Sequence, residues 1–374
     1  MAKKRQNGEG TIYQRPNGLW VCELTLGYDE NNKRIKKVLT SMDREALQKK
    51  INDTKYLRDR NMVAEPSKHT VETWLNFWLE NYKSHSVKPT TYDMYDNCCR
   101  SHLIPKFGKI KLDKLNTLQV QQYFNSLADE LSISSIKKIY ITLSQSYQMA
   151  NKLNMIYHNP CNDVVLPKQE KTKAVAFTPQ EQEAFLQTCT SGSTYDNLYV
   201  FAFNTGMRLG ELQALTFDRI RNGHVIVDSN LQTVSDRDET SDKKLKQIIT
   251  TTKTASSTRQ IPLNAAALRA VRLQGQNNTT GSMFVFYSAA GTPLQKRNIY
   301  RNLDAKLQEI GANDNLTFHS IRHSFATRLL ERGADIKTIS ELLGHRSIQI
   351  TLDIYSHVSN DLKQKTIALL DAVM

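Results

Sequence analysis

The segment 317–358, TFHSIRHSFATRLLERGADIKTISELLGHRSIQITLDIYSHV, predicts two helices followed by a polar stretch that contains a tyrosine. Its first two parts, TFHSIRHSFATRLLERG and DIKTISELLGH, repeat apolar residues at helical spacing. Gly333 and Gly344 follow these patterns, where a left-handed residue commonly ends a helix. Tyr355 comes ten positions after His345, in a stretch too polar for an ordinary core. The segment therefore predicts a helical domain and marks Tyr355 as a candidate reactive residue.

Tyr355 needs nearby cations to act as a nucleophile, because an ordinary tyrosine has a pKa of about 10. His319 and Arg322 are three residues apart and share one face of their predicted helix. Another face carries apolar residues that suit burial, at Ile321, Phe325 and Leu329. The alternative is a His and an Arg on the surface of an amphipathic helix, and the H-x-x-R spacing alone favours that alternative.

Two further segments supply candidate cations. In FNTGMRLGELQAL, Arg208 follows Gly206 at a turn into a predicted helix, where a guanidinium and backbone donors can meet one phosphate. In TTKTASSTRQIPL, Lys253 lies where a predicted strand enters a turn rich in Ser and Thr. Each has an ordinary alternative, since turn arginines and solvated hairpin lysines are common.

The order and spacing of these residues resemble the active site of the tyrosine recombinase, or phage integrase, family. The boxes of that family are similar to TGMRLGEL, TKTASSTRQIPL, HSIRHSFAT, LLGH and TLDIYSHV, between Phe177 and Val358. The positions that match the family's catalytic residues are Arg208, Lys253, His319, Arg322, His345 and Tyr355. The resemblance is closest to the three-domain integrases of bacterial conjugative transposons and temperate phages.

The resemblance implies a role for each of these residues. Tyr355 would attack a DNA phosphodiester, and Arg208 and Arg322 would stabilise the charge on its non-bridging oxygens. His319 would accept the tyrosine proton, His345 would hydrogen-bond the phosphate, and Lys253 would protonate the departing 5′-oxygen. Glu211 matches an acidic residue that orients the first arginine of the family, whereas His323 has no assigned role.

Composition and charge agree with a protein that binds a polyanion. The chain has 374 residues, 39% of them hydrophobic, and a mean hydropathy of −0.51, which together predict two or three globular domains. The net charge of +13 and the pI near 9.4 favour nucleic acid as a partner. No run of about 18 apolar residues and no secretory signal is present, so we expect a cytoplasmic protein without a membrane span.

The five cysteines are odd in number and lack C-x-x-C spacing, so neither a disulfide framework nor a zinc site is expected. The chain also lacks a carboxylate cluster suited to Mg²⁺, and the resemblance implies that arginines take the place of metal ions. We therefore expect no cofactor.

Patterns along the chain predict a multidomain α+β protein with three domains. Residues 1–65 predict a small three-stranded sheet with one helix, because GTIYQRPNGLWVCELTLGY and RIKKVLTS alternate like strands and DREALQKKINDTKYLRDR has helical spacing. The family resemblance implies that this is an arm-type DNA-binding domain. Residues 66–170 predict an all-α domain, which the family resemblance identifies as a SAM-like core-binding domain. Residues 171–374 predict a mainly α catalytic domain with a small β-sheet and a C-terminal tail.

Within residues 66–170, four helical segments are expected. The first, TVETWLNFWLENYK, carries a stripe of aromatic residues expected in the core, namely Trp74, Phe77, Trp78 and Tyr82. In the last domain, Thr178 and Glu181 predict a capping box, and GHVIVDSN, QIITTTK and TRQIPL predict strands separated by the polar loop SDRDETSDKK.

The expected partner is double-stranded DNA, contacted at core and arm-type sites. The resemblance also implies a homotetramer on DNA, an excision factor, a host DNA-bending protein, and association with a bacterial nucleoid. The tail DLKQKTIALLDAVM is apolar enough to dock either on a neighbouring subunit or on its own subunit, and the sequence leaves both alternatives open. Two rival functions are a type IB topoisomerase-like enzyme and a catalytically silent DNA-binding regulator.

Overall fold

The computed structural model describes residues 11–28, 34–59, 68–168, 175–238, 240–241, 244–251 and 258–355. Contacts within the chain group it into two compact units, Met1–Glu170 and Lys171–Met374. Lys253 and the tail after Tyr355 lie outside the described residues. The division into three domains stays a prediction.

A three-stranded antiparallel sheet and one helix form the first part of the first unit, as predicted. They are β1 (Thr11–Gln14), β2 (Trp20–Tyr28), β3 (Arg34–Ser41) and α1 (Arg44–Asp59). Gly18, with φ of +82°, closes the turn between β1 and β2. Cys22 of β2 packs against Leu47 and Ile51 of α1, whereas Tyr56 lies on the outer face of the helix with 56% of its surface exposed.

The second part of this unit is helical, as predicted. Its helices are α2 (Val71–Trp78), α3 (Pro89–Cys98), α4 (Ile104–Phe107), α5 (Thr117–Ser126) and α6 (Ile133–Lys152). Side chains of Thr70, Asn116 and Ser132 cap α2, α5 and α6 by accepting backbone N–H bonds. Single π-helical turns, Leu79–Lys83 and Cys99–Leu103, extend α2 and α3, and the sequence pattern did not predict them.

The core of these helices contains most of the predicted aromatic stripe. Trp74 and Trp78 are buried, and Trp74 Nε1 donates to the carbonyl of Ser146 on α6 at 3.2 Å. The prediction for Phe77 is wrong, because this ring is 43% exposed. Trp74 and Trp78 are four residues apart and lie nearly above one another, whereas Phe77 lies to one side of that line and contacts the rings of His69 and Tyr82. Tyr82 is half-buried.

The second unit surrounds small sheets with helices. Its helices are α7 (Pro179–Gln187), α8 (Thr194–Thr205), α9 (Leu209–Gln213), α10 (Ala265–Gln276), α11 (Lys296–Glu309), α12 (Phe318–Glu331), α13 (Ile336–Leu343) and α14 (Ile348–Tyr355). Its strands are β4 (Ile220–Arg221), β5 (His224–Val227), β6 (Ser229–Ser235), β7 (Leu245–Thr251) and β8 (Arg259–Pro262).

The predicted strands are confirmed, but they form two sheets. The strands β4, β5 and β8 form one antiparallel sheet, and β6 and β7 form a separate two-stranded ribbon. The capping box of Thr178 and Glu181 at the start of α7 is also confirmed. In the described part of the chain, no helix is long and apolar enough to cross a membrane.

Helix α8 is the central helix of the second unit. Its residues from Leu198 to Phe203 are buried with one half-buried exception, and the helix packs against α10 and α12. Tyr199 Oη donates to the carbonyl of Ile299 on α11 at 2.9 Å. A helix that is apolar on nearly all sides is fixed on all sides, so the turn after α8 has a defined position.

The ribbon contacts α9 at a glycine. A Cβ atom on Gly210 would lie 2.2 Å from Oδ1 of Asn230 and 2.8 Å from the backbone carbonyl of Leu231. Both partners belong to β6. Any larger residue at position 210 would therefore push the ribbon away from α9.

Gly210→Ala is expected to lower the melting temperature of the full-length chain, because overpacking against a backbone carbonyl costs on the order of 1–3 kcal/mol. Gly275→Ala is the matched control, since its Cβ would meet Phe217 Cε1 at an ordinary 3.6 Å. Thermal unfolding followed by circular dichroism should show a decrease for the first variant and no decrease for the second. Equal melting temperatures for the two variants would contradict the contact.

Candidate active site

Three consecutive carbonyl oxygens at the C-terminal end of α13 each accept a hydrogen bond from a different arginine. The pairs are Arg259 Nε with Leu342 O at 2.6 Å, Arg322 Nη2 with Leu343 O at 2.6 Å, and Arg208 Nη2 with Gly344 O at 3.0 Å. The last carbonyls of a helix lack partners within the helix and carry partial negative charge. This helix end therefore gathers three guanidinium groups from separate parts of the chain.

Arg322 is the most deeply buried of the three. It lies on α12 with 3% of its surface exposed, and its Nη1 also donates to the carbonyl of Gly206 at 2.8 Å. Burial and the neighbouring charge of Arg208 lower the pKa of Arg322, while Glu211 opposes that shift. Its hydrogen bonds to described residues use two of its five N–H groups, so the guanidinium retains donors for an anion.

Arg208 is more accessible, with 39% of its side chain exposed. It is the N-cap residue of α9, and Glu211 in the first turn of that helix accepts its backbone N–H at 2.9 Å. The other carboxylate oxygen of Glu211 accepts Nη1 of Arg208, also at 2.9 Å. The short helix thus fixes both the backbone and the side chain of Arg208.

Glu211 is shared between two arginines. Its oxygens also accept Nη1 and Nη2 of Arg259 at 3.1 and 2.8 Å. Burial alone would raise the pKa of this carboxyl, but the hydrogen bonds and charges of Arg259 and Arg208 lower it. Glu211 is therefore a buried carboxylate that is ionised and fully hydrogen-bonded.

Arg259 was not among the predicted site residues, although it lies in the segment TKTASSTRQIPL. A signal was present, since Arg259 and Ile261 alternate with Gln260 and Pro262 along β8 and so share a face with each other. Ile261 is an evident core residue, which places Arg259 on the buried face of the strand.

Two glycines allow the arginines to reach the backbone. Gly206 ends α8 and Gly344 ends α13, with φ of +62° and +64°. A Cβ on Gly344 would lie 3.0 Å from Nη1 of Arg259, and one on Gly206 would lie 2.5 Å from a ring carbon of Phe325. The predicted helix end at Gly344 is confirmed, and the structure adds close packing as a second reason for glycine there.

His345 follows directly after the arginine cluster. Its backbone N–H donates to Ser340 O at 3.1 Å, and its Nδ1 lies 2.8 Å from the hydroxyl of Thr351. Burial, followed by the charges of Arg322 and Arg208, lowers the pKa of His345 to about 3. Thr351, which is fully buried on α14, was also missed by the sequence analysis. It precedes Tyr355 by four residues, a spacing that could have marked it.

His319 lies at the exposed edge of the same cluster. Partial loss of hydration and the charges of Arg322 and Arg208 lower its pKa. Its ring meets that of His323 edge to face, with 4.5 Å between centroids. Nδ1 of His323 is buried without a hydrogen-bond partner among the described residues, and burial lowers the pKa of His323 to about 4.

The structure thus brings four predicted residues, Arg208, His319, Arg322 and His345, around the end of α13. The backbone of Tyr355 forms the last residue of α14, one turn after Thr351, and Lys253 lies two positions beyond the end of β7. The catalytic roles of all six residues stay predictions. Across the described ranges, no group of three or more His, Cys, Asp or Glu side chains is arranged to hold a metal ion.

Comparison with known families identifies two matching regions. The sequence model described as Phage integrase family matches residues 176–361, and the one described as Phage integrase, N-terminal SAM-like domain matches residues 70–128. The first match contains every predicted catalytic residue. The second covers α2 through α5.

Curated relatives cover nearly the whole chain. A tyrosine recombinase XerC-like protein of Caldanaerobacter subterraneus is 29% identical over 371 residues, with 92% of this chain and 93% of that protein covered. The ICEBs1 integrase of Bacillus subtilis is 24% identical over 370 residues, with 96% and 98% covered.

Solved structures share the fold. An integrase of the Tn1549 transposon, in complex with a circular intermediate DNA, aligns with a TM-score of 0.68 at 20% identity, covering 81% of this chain and 100% of that one. A lambda integrase tetramer bound to a Holliday junction aligns with a TM-score of 0.61 at 20% identity, covering 94% and 96%. At this identity the likeness establishes the architecture only.

The lowered pKa values of His323 and His345 predict a loss of stability in acid. The folded chain keeps these imidazoles neutral, whereas in the unfolded chain they titrate near the ordinary 6.5. The unfolded state therefore binds more protons below about pH 6.5, and stability falls progressively from there toward pH 4.

A His323→Gln/His345→Gln variant should lose less of its melting temperature between pH 7 and pH 5 than the wild type. His158→Gln, at a position with 58% of the side chain exposed, is the control and should keep the wild-type slope. Calorimetry at matched ionic strength measures both. Parallel slopes for the wild type and the double variant would show that the pKa values of the two imidazoles are the same in the folded and the unfolded chain.

Proposed function

The chain belongs to the phage integrase family of tyrosine recombinases and is a site-specific DNA strand-transfer enzyme, and from this premise we propose that Tyr355 is its nucleophile and that the end of α13 binds the scissile phosphate. One observation carries the proposal. Two arginines with spare N–H donors, Arg208 and Arg322, are held on adjacent carbonyls of one helix end, beside a neutral histidine.

The proposed reaction is a reversible phosphoryl transfer. The Tyr355 oxygen attacks the phosphorus of a DNA phosphodiester, a 3′-phosphotyrosyl bond forms, and the bond to the 5′-oxygen breaks. The phenol loses its proton and the departing 5′-oxygen gains one. A phosphodiester is exchanged for another phosphodiester, so resealing by a 5′-hydroxyl needs no external energy source.

Arg208 and Arg322 act on the charge that develops on the non-bridging oxygens. Guanidinium groups match phosphate with paired donors, and a preorganised donor pair stabilises the transition state without reorganisation. Because burial and Arg208 lower the pKa of Arg322, an anion at this place is strongly favoured. The same field lowers the cost of forming the Tyr355 phenolate.

Two histidines and one lysine are proposed to bind the phosphate and to transfer the protons. With a lowered pKa, His345 is neutral at pH 7, and if the Thr351 hydroxyl donates to its Nδ1, its Nε2–H is directed to the phosphate. His319, also shifted toward the neutral form, is suited to accept the proton of Tyr355. Lys253 is proposed as the acid that protonates the 5′-oxygen, on the strength of its position in the family box.

DNA is the partner, and we also propose which domain contacts which DNA site. The sheet of residues 1–65 would hold arm-type sites, the helices of residues 66–170 would clamp the core site, and four copies would assemble for strand exchange. We further propose integration and excision of a mobile element, with an excision factor and a host DNA-bending protein, in the cytoplasm of a bacterium near its nucleoid. The names of two relatives support the mobile element and the assembly of four copies, since one is a Tn1549 transposon integrase and another is a lambda integrase tetramer bound to a Holliday junction. The accessory proteins and the location rest on the family resemblance alone.

The rival functions are not favoured. A silent DNA-binding regulator would have no reason to keep all six catalytic positions, and the near-complete alignment with integrases weighs against a type IB topoisomerase.

Tyr355→Phe should bind a core duplex with wild-type affinity and form no covalent complex. The reason is that the substitution removes only the attacking oxygen. A nicked suicide duplex traps the wild-type adduct, which migrates slowly on a denaturing gel. A comparable adduct from the Phe variant would assign the nucleophile to another residue.

Lys253→Ala cleavage should be rescued by a substrate with sulfur at the bridging 5′ position, because a thiolate leaves without a proton whereas an alkoxide does not. Arg208→Ala should gain much less, since its charge serves the non-bridging oxygens whichever atom departs. Single-turnover cleavage of both substrates gives the comparison. If sulfur helps neither variant or both equally, Lys253 is not the acid.

A further inference from the structure

Three arginines, Arg208, Arg259 and Arg322, form a cluster at the end of α13. Arg208 and Arg322 match catalytic positions of the family, and Arg259 does not. Only 6% of its side chain is exposed, against 39% for Arg208. Its Nε donates to the carbonyl of the half-buried Leu342, and its Nη1 and Nη2 donate to the two oxygens of the buried Glu211. It is therefore placed to hold other groups and not to contact a phosphate itself.

The contacts of Glu211 explain why such a residue is needed. Each of its oxygens accepts one bond from Arg208 and one from Arg259. A buried carboxylate with Arg208 as its sole partner would neutralise Arg208 and hold it away from an anion. With Arg259 present, three arginines and one glutamate leave a formal charge of 3 − 1 = +2 at the helix end.

We propose that Arg259 is a positioning residue that compensates the charge of Glu211, so that Arg208 keeps its charge for the scissile phosphate. It also ties β8 to the end of α13 through Leu342, which keeps the carbonyls of Leu343 and Gly344 in register with Arg322 and Arg208. This inference rests on the proposed function of the same site.

The first test is a double-mutant comparison of single-turnover cleavage at saturating protein. Arg259→Met should cleave about 10²-fold more slowly than the wild type, the loss typical of one transition-state donor. Arg259→Met/Glu211→Gln should recover at least about tenfold of that loss, because the uncompensated carboxylate is gone and Arg208 is released. A double variant that is folded and no faster than Arg259→Met would overturn the proposal.

The second test uses a methylphosphonate at the scissile position, which lacks the negative charge that the arginines neutralise. Both Arg208→Ala and Arg259→Met should lose less activity, relative to the wild type, on this substrate than on the phosphodiester. A purely structural defect would reduce cleavage of both substrates alike. Arg328→Met is the matched control, because Arg328 is also a largely buried arginine, with 17% of its side chain exposed, and it forms an ion pair with Glu331. This variant should cleave both substrates near the wild-type rate.

If Arg259→Met fails to fold, as judged by its melting temperature, Arg259→Gln decides the matter. The glutamine keeps N–H donors for Glu211 but removes the compensating charge, so it should cleave the phosphodiester more slowly than the wild type. Methylphosphonate should narrow that difference, and an undiminished defect would overturn the proposal. Tyr355→Phe is measured in parallel to test the proposed function separately. A covalent adduct from that variant would reject the proposed function. If that variant forms no adduct, the results for the Arg259 variants test the role of Arg259 only.

Discussion

The carbonyl oxygens that end α13 are the constraint on which the site depends. Three guanidinium groups would repel one another in an apolar interior, and the partial negative charge of a helix C-terminus together with Glu211 makes their proximity favourable. Packing holds this helix end in place, since Ile339 and Leu343 are buried against Ala326 and Leu330 of α12. The net charge that remains is positive and is concentrated at the end of α13, as phosphoryl transfer requires.

The surrounding fold supplies the arginines from rigid elements. Arg322 lies on α12 and Arg208 follows the turn after α8, and both helices belong to the core of the second unit. Gly206 connects them, because its carbonyl accepts Arg322 while its left-handed backbone ends α8 and begins the turn toward Arg208. His345 is then attached to α14 through Thr351, so the helix that carries Tyr355 is linked to the arginine cluster by a partly buried hydrogen bond.

The sequence predicted much of this, and its failures have physical causes. Helix ends at Gly333 and Gly344 and the capping box of Thr178 follow from local backbone chemistry, which a sequence expresses directly. The helical spacing of the aromatic stripe predicts a buried Phe77, whereas burial also depends on which neighbouring elements cover each side of the helix. Arg259 was missed because its partners lie far away in the chain, and Thr351 because its partner His345 lies in the turn before its own helix. Residue type alone does not encode such contacts.

The most direct measurement is a crystal structure of the full-length Tyr355→Phe protein on its core duplex. The account predicts that the non-bridging oxygens of one phosphate lie within about 3 Å of guanidinium nitrogens of both Arg208 and Arg322. Arg259 should keep its hydrogen bonds to Glu211 and to the carbonyl of Leu342. A scissile phosphate bound away from the end of α13, or contacted by Arg259 after it leaves Glu211, would contradict the account.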